Sequence, residues 1–238
     1  MQRRVLVTAH RGSSAIAPEN TLAALQQAIV DGADFAEVDV QATADGELVL
    51  FHDADLSRIA GLPHRLGERS YREICQVDAG RWFGPEFAAE RIPRLAEAVN
   101  RVRGQLRLNL ELKAYGSTRH SLAQRLVEQL QQLAFSHDCI VTCFDRALLW
   151  QVHQLAPQLR LGLICADTPS ALENWLTLYS VQAAIATPKL IKSIQSRNQA
   201  IHVWTVNDPA DMQRFIQWGV DSLITDQPGR LRQVLAAA

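Results

Sequence analysis

The chain has no apolar run near the ~18 residues a membrane-spanning helix needs. It also has no block of charge of one sign, and no Gly-, Pro- or Ser-rich stretch long enough for a linker. The first absence argues against a membrane anchor. With 24 Lys and Arg against 25 Asp and Glu, the formal net charge is −1. That leaves no bulk electrostatic attraction for nucleic acid or an anionic membrane. Without linkers, repeats or low-complexity tracts there is no place to divide the chain, so residues 1–238 read as one domain. The four cysteines, Cys75, Cys139, Cys143 and Cys165, lack the paired spacing of a metal site. Cys139 and Cys143 lie on an apolar run and read as buried, reduced thiols, which points to a reducing cytoplasm. The start, Met1-Gln2-Arg3-Arg4-Val5-Leu6-Val7, is too short in its apolar part for a secretory signal.

What is present is a 47% hydrophobic fraction laid out in a strand–helix rhythm. Eight strands are expected, at Val5–Ala9, Phe35–Val40, Arg107–Leu112, Cys139–Cys143, Arg160–Ile164, Ala183–Ala186, His202–Thr205 and Ser222–Thr225. Helices are expected at Glu19–Asp31, Ser121–Phe135, Arg146–Leu155, Ser170–Leu178, Lys189–Arg197 and Ala210–Trp218. Parallel neighbours need crossover connections, so this alternation implies a parallel sheet. Eight units favour closure into an α/β (β/α)8 barrel over the rival, a doubly wound open sheet. Between Asp45 and Arg94 the rhythm breaks: a hairpin arm at Glu47–Phe51 leads into a mixed segment. It reads as an insertion within about 53–94, between the second and third barrel strands, placed where it could cover a site.

Polar residues gather at the strand ends. Alternation puts Glu37 and Asp39 on one face of their strand, and Asn109, Glu111 and Lys113 on one face of the next. Three carboxylates converging in a cavity repel one another and lose hydration. All-oxygen ligands suit a hard divalent ion, Mg²⁺ or Ca²⁺, with Mn²⁺ a further candidate. The competing reading pairs Glu37, Asp39 and Glu111 with Arg11 and Lys113. His10 and His52 each follow an apolar run, and two histidines titrating near neutrality serve as acid and base across one scissile bond. Arg11 suits a phosphate through its planar fork, and Lys113 adds a point charge. Glu19 either favours the following helix through its dipole or orients Arg11. Gly12 allows a tight turn beside a ligand. Trp204 and Phe144 are candidates for an apolar wall against the substrate, or for core packing. His64, His120, His137 and His153 read as solvated or capping residues.

These residues resemble the glycerophosphodiester phosphodiesterase family across essentially the whole chain. The marks are His10-Arg11-Gly12, Pro18-Glu19-Asn20-Thr21, Glu37-Val38-Asp39-Val40 and His52-Asp53. Then come Arg91-Ile92-Pro93-Arg94-Leu95 and Asn109-Leu110-Glu111-Leu112-Lys113. Trp204-Thr205-Val206-Asn207 and the run from Gly219 to Pro228 complete them. The resemblance implies a TIM barrel of the phospholipase-C-like phosphodiesterase type with a small insertion after the second strand. It implies a divalent metal on Glu37, Asp39 and Glu111, with His10 and His52 as the acid–base pair. The expected reaction is metal-dependent hydrolysis of a small-molecule glycerophosphodiester, such as glycerophosphocholine or glycerophosphoethanolamine, to sn-glycerol 3-phosphate and an alcohol. In that scheme His52 is the base and His10 the acid. Two alternatives stand beside it: a lyase that forms a cyclic phosphate, and a non-catalytic phosphodiester-binding barrel. Two positions depart from the family pattern: Ile59-Ala60 stand where a threonine pair usually follows the arginine, and Ser222 stands where many members have glycine. Both are expected to affect loop packing more than activity.

Overall fold

The computed structural model describes residues 4–237; Met1–Arg3, where the amino-terminal run begins, lie outside the described residues. Among the described residues nine strands form, β1 Leu6–His10, β2 Phe35–Ala42, β3 Leu48–Leu50, β4 Arg107–Leu112, β5 Cys139–Cys143, β6 Leu161–Cys165, β7 Leu178–Gln182, β8 Ala200–Trp204 and β9 Ser222–Thr225. The α-helices are α1 Leu22–Val30, α2 Ser57–Ala60, α3 Tyr71–Ile74, α4 Leu95–Val102, α5 Arg119–Gln132, α6 Arg146–Leu155, α7 Pro188–Gln195, α8 Pro209–Gln217 and α9 Pro228–Ala237. All strands but β3 pair in parallel, and β1 pairs with both β2 and β9, so the sheet closes into an eight-stranded (β/α)8 barrel.

Strand alternation sorts the side chains. Along β2, Ala36, Val38 and Val40 face outward into the main apolar core, which also holds Leu25 of α1, Val99 of α4 and Leu126 of α5. Inside the barrel, Leu6, Phe35, Ile140, Leu178 and Ala200 pack together and plug the amino-terminal end. Above this plug the buried interior turns polar, with Thr8, Asn109, Thr142, Ser180, His202 and Ser222. The carboxyl ends of the strands carry the charged groups, as the barrel architecture dictates.

β3 is not a barrel strand. It folds back antiparallel on the last residues of β2, Val40–Ala42, and so brings the chain to the barrel mouth at His52. The insertion follows, and it carries its own apolar cluster around Phe51, Leu56, Ile59, Leu66, Ile74 and Ile92. Ile59 therefore packs inside the insertion. Ser222, by contrast, belongs to no loop: its Oγ lies 2.8 Å from Thr8 Oγ1 inside the barrel, so that departure bears on the barrel interior.

One crossover differs from the sequence expectation. Ser170–Leu178 is not a helix, and the sixth barrel strand is Leu178–Gln182 rather than Ala183–Ala186. The Gln199 side-chain amide donates to the carbonyls of Glu173 and Leu176 at 2.7 and 2.8 Å, and Glu173 N–H donates to Tyr179 Oη at 2.6 Å. Side chains thus satisfy backbone groups that a helix would otherwise have to pair. The apolar spacing around Trp175 and Tyr179 serves a packed loop and a strand. His153 sits in the last turn of α6, where a basic ring suits the helix end, and is half-buried with its ring tilted 5.1 Å from Trp150 and 5.4 Å from Trp175. The four cysteines are free thiols, three of them buried.

His202 supplies a stability prediction. Its Nδ1 has no partner, and burial pushes its pKa down to about 4 against the opposing charge of Asp221. An unfolded histidine titrates near 6.5, so below that pH the unfolded chain takes a proton that the folded chain refuses. This contribution to stability is complete above pH 6.5 and is lost at about 1.4 kcal/mol per pH unit as the pH falls toward the folded value. Denaturant midpoints between pH 6.5 and 5 are expected to fall more steeply for the natural chain than for His202→Gln. Equal slopes would mean that the folded ring accepts the proton.

Candidate active site

At the carboxyl end of the barrel lies a cavity of about 180 Å³, lined by His10, Arg11, Glu37, His52, Asn109, Glu111, Lys113, Phe144 and Trp204 among others. β1 ends at His10, after which Arg11 and Gly12 turn the chain with φ of 55° and 83°. A Cβ on Gly12 would sit 2.7 Å from the backbone of Ala24, so the close approach of this turn to α1 demands glycine.

Each histidine is held by a carboxylate. His10 Nδ1 lies 2.7 Å from Asp226 Oδ1, and His52 Nδ1 lies 2.7 Å from Asp53 Oδ1. Asp226 also accepts from Ser14 Oγ at 2.9 Å and Asn207 Nδ2 at 2.6 Å. Burial works against its charge, but the hydrogen bonds from His10, Asn207 and Ser14 prevail and bring its pKa down to about 2. An ionised Asp226 accepts, so His10 donates from Nδ1 and turns Nε2 toward the cavity, where it lies 3.9 Å from Glu37 Oε2. The two rings are tuned in opposite directions. Burial opposes protonation of His10, yet Asp226 and Glu37 outweigh it and raise its pKa. At His52 burial prevails over Asp39 and Asp53, and the pKa is lowered.

The carboxylates of Glu37, Asp39 and Glu111 each offer an oxygen, and these three oxygens lie within 4.8 Å of one another. Lysine and arginine ion pairs account for two of the three acids, while Glu37 faces only the His10 ring at 3.9 Å. Lys113 Nζ pairs with Asp39 at 2.9 Å and with Glu111, and Arg11 Nε is 3.4 Å from Asp39. Glu37 receives only the backbone N–H of Arg11, at 3.1 Å, and its Oε1 is buried with no partner. Burial, with the charges of Asp39 and Glu111, pushes the Glu37 carboxyl up to about 8. A buried, unsatisfied oxygen among like charges is what a hard cation would relieve, so this donor set fits a divalent metal.

Residues outside the sequence-derived site hold it in shape. Asn20, with φ 58°, donates to Asp39 Oδ2 at 2.7 Å and accepts from Asp39 N–H at 3.0 Å. Gln41 donates to the carbonyls of Phe51 and Asp53, at 2.7 and 2.8 Å, and so fixes the segment bearing His52. Glu19 precedes the cap of α1, which is Thr21, and accepts from Arg11 Nη1 at 2.9 Å. It orients Arg11 rather than serving the helix end. Signals for Asn20 and Gln41 existed: one lies in the Pro18–Thr21 motif, and the other continues the inward alternation of Glu37 and Asp39. Phe144 and Trp204, both in the cavity lining, meet edge to face at 5.8 Å, and Trp204 Nε1 donates to Ser180 O at 3.0 Å.

The glycerophosphoryl diester phosphodiesterase family model matches residues 10–230. The chain belongs to this family. It is therefore a phosphoric diester hydrolase. It is 34% identical to a glycerophosphodiester phosphodiesterase of Caldanaerobacter subterraneus subsp. tengcongensis, over 96% of both chains. It is 31% identical to one of Bacillus subtilis, over 97% of this chain and 86% of that one. Among solved structures it resembles an Oleispira antarctica phosphodiesterase in complex with the product sn-glycerol-3-phosphate. That similarity has a TM-score of 0.92 and 30% identity, covering 97% of this chain and 96% of the other. No helix of the described residues is long and apolar enough to cross a membrane.

Proposed function

We propose that this phosphodiesterase hydrolyses glycerophosphodiesters, such as glycerophosphocholine and glycerophosphoethanolamine, to sn-glycerol 3-phosphate and the head-group alcohol. The observation that carries the reading is the pair of carboxylate-held histidines lining one cavity with the Glu37–Asp39–Glu111 cluster. The structural relative that holds sn-glycerol-3-phosphate supports the product. Glu37, Asp39 and Glu111 would hold the divalent cation, Mg²⁺ or Ca²⁺. Held there, it supplies Lewis-acid polarisation of the phosphoryl group.

The chain's own residues do the rest. Arg11 and Lys113 neutralise charge developing on the phosphoryl oxygens. His52, with its lowered pKa, is neutral near pH 7 and takes the proton of the attacking oxygen. His10, with its raised pKa, is the ring better suited to deliver a proton from Nε2 to the leaving alkoxide. Phe144 and Trp204 supply an apolar part of the cavity lining, against which the non-phosphate part of the substrate can rest. Barrel and insertion act as one domain. The free thiols support a reducing, cytoplasmic setting.

The test is glycerol 3-phosphate release from glycerophosphocholine, with chelator and then with Mg²⁺ or Ca²⁺ restored. Release that returns with metal and is lost in Glu37→Ala supports the reading. A cyclic phosphate in the phosphorus NMR spectrum would replace hydrolysis with lyase chemistry. Binding without turnover under every metal would leave a phosphodiester-binding barrel.

A further inference from the structure

The insertion sends one side chain back into the site. Arg58, on α2, donates from Nε to Asp53 Oδ2 at 2.6 Å. It also forks onto Glu19, from Nη1 to Oε2 at 3.0 Å and from Nη2 to Oε1 at 2.7 Å. The other oxygen of Asp53 holds His52 Nδ1, and Glu19 Oε1 also accepts from Arg11 Nη1. Five side chains thus form one continuous hydrogen-bonded chain, His52–Asp53–Arg58–Glu19–Arg11. It joins the β1–α1 turn to the segment after β3.

We propose that Arg58 is a positioning residue that locks the His52 ring and the Arg11 fork into one unit, making the insertion a strut for the active site. The proposal rests on the roles given to His52 and Arg11 above. Three features set Arg58 apart from an ordinary surface cation. Both of its acceptors are more buried than it is: its side chain is 44% exposed, against 14% for Glu19 and 24% for Asp53. Its neighbour Ile59 is anchored in the apolar cluster of the insertion, and the Trp82 ring lies 5.7 Å from its Cζ. Its three nitrogens are all engaged at once, in a planar geometry that an ammonium cannot reproduce. Without Arg58, Asp53 would keep only the His52 ring and Glu19 only Arg11 among these partners, and both carboxylates would be free to swing. A misplacement of about 1 Å at a reacting group is enough for a ~10²-fold loss in rate.

The experiment compares Arg58→Ala and Arg58→Lys with the natural enzyme, loaded with metal, on glycerophosphocholine. Arg58→Ala is expected to lose ~10²-fold in kcat/KM, with kcat falling through His52 and KM rising through Arg11, while the thermal midpoint moves little. Arg58→Lys should fall between the two, since it reaches one carboxylate but not both. Arg58→Ala combined with Asp53→Asn, or with Glu19→Gln, should lose little beyond the single change, because the chain is already cut. A readout independent of turnover is the hydrogen-bonded Nδ1 proton of His52, assigned by its disappearance in His52→Gln. Its proton NMR signal should be sharp in the natural protein and lost to water exchange in Arg58→Ala. If the natural protein releases no glycerol 3-phosphate, the functional reading fails while the ring proton still decides the strut. Retention of the ring proton in Arg58→Ala would overturn the proposal, and so would kinetic losses that multiply in the double variants.

Discussion

Alanine at His52 or His10 is expected to lower kcat at least ~10²-fold, with each variant folded and still able to bind metal. Both imidazoles line the cavity, and each has its Nδ1 committed to a carboxylate, which leaves Nε2 for proton transfer. The carboxylates set tautomer and direction, so Asp226→Asn and Asp53→Asn should lose activity while the histidines remain. Asp226→Asn should also move the pH profile. His10 has a raised pKa because Asp226 and Glu37 outweigh its burial, so removing the Asp226 charge lowers that pKa. The alkaline limb of kcat should then shift to lower pH. Near-normal kcat in both alanine variants would end the acid–base assignment.

The second large effect has opposite signs with and without metal. In the metal-stripped protein the Glu37 carboxyl is held at about 8 by burial and by the charges of Asp39 and Glu111. The folded state then holds a proton that the unfolded chain releases near 4.3. This contribution therefore weakens stability as the pH rises from the unfolded value toward 8. Glu37→Gln keeps an acceptor for the Arg11 N–H and removes the charge. Its metal-stripped form should melt above that of the natural protein at pH 7. With Mg²⁺ or Ca²⁺ at about 100 times its dissociation constant, the natural protein should gain about 2.7 kcal/mol. For a chain of this size that is roughly 5–10 °C in Tm. Glu37→Gln should gain almost nothing from the metal. A natural protein whose Tm ignores both ions, or a variant that responds equally, would rule out Glu37 as a ligand.

Much of the barrel was legible because its strands announce themselves locally. β4, β5, β9 and helix α6 fall on the bounds read from apolar runs and flanking polar residues. The segment Ser170–Leu178 was misread for a non-local reason: Gln199, on a later part of the chain, takes the carbonyls that a helix would have used. In the site, the inward acids and both histidines were visible from alternation and strand ends. Their partners were less so. Asp226 lies 216 residues from His10, and no spacing rule links residues so far apart. Arg58 stood in view beside His52-Asp53, but its second acceptor, Glu19, lies 39 residues back.

By itself the sequence determined the chemical inventory: inward-facing carboxylates, two titratable rings, an arginine and a lysine beside them, and a strand–helix period that closes into a barrel. Periodicity and residue type are local properties, so they survive without coordinates. Only the tertiary structure decided which acids the cations neutralise, that one oxygen of Glu37 stays unpaired, and which carboxylate orients which histidine. Those outcomes depend on distances and desolvation between elements far apart in the chain. They arise only when the barrel has closed and β3 has carried His52 to its mouth.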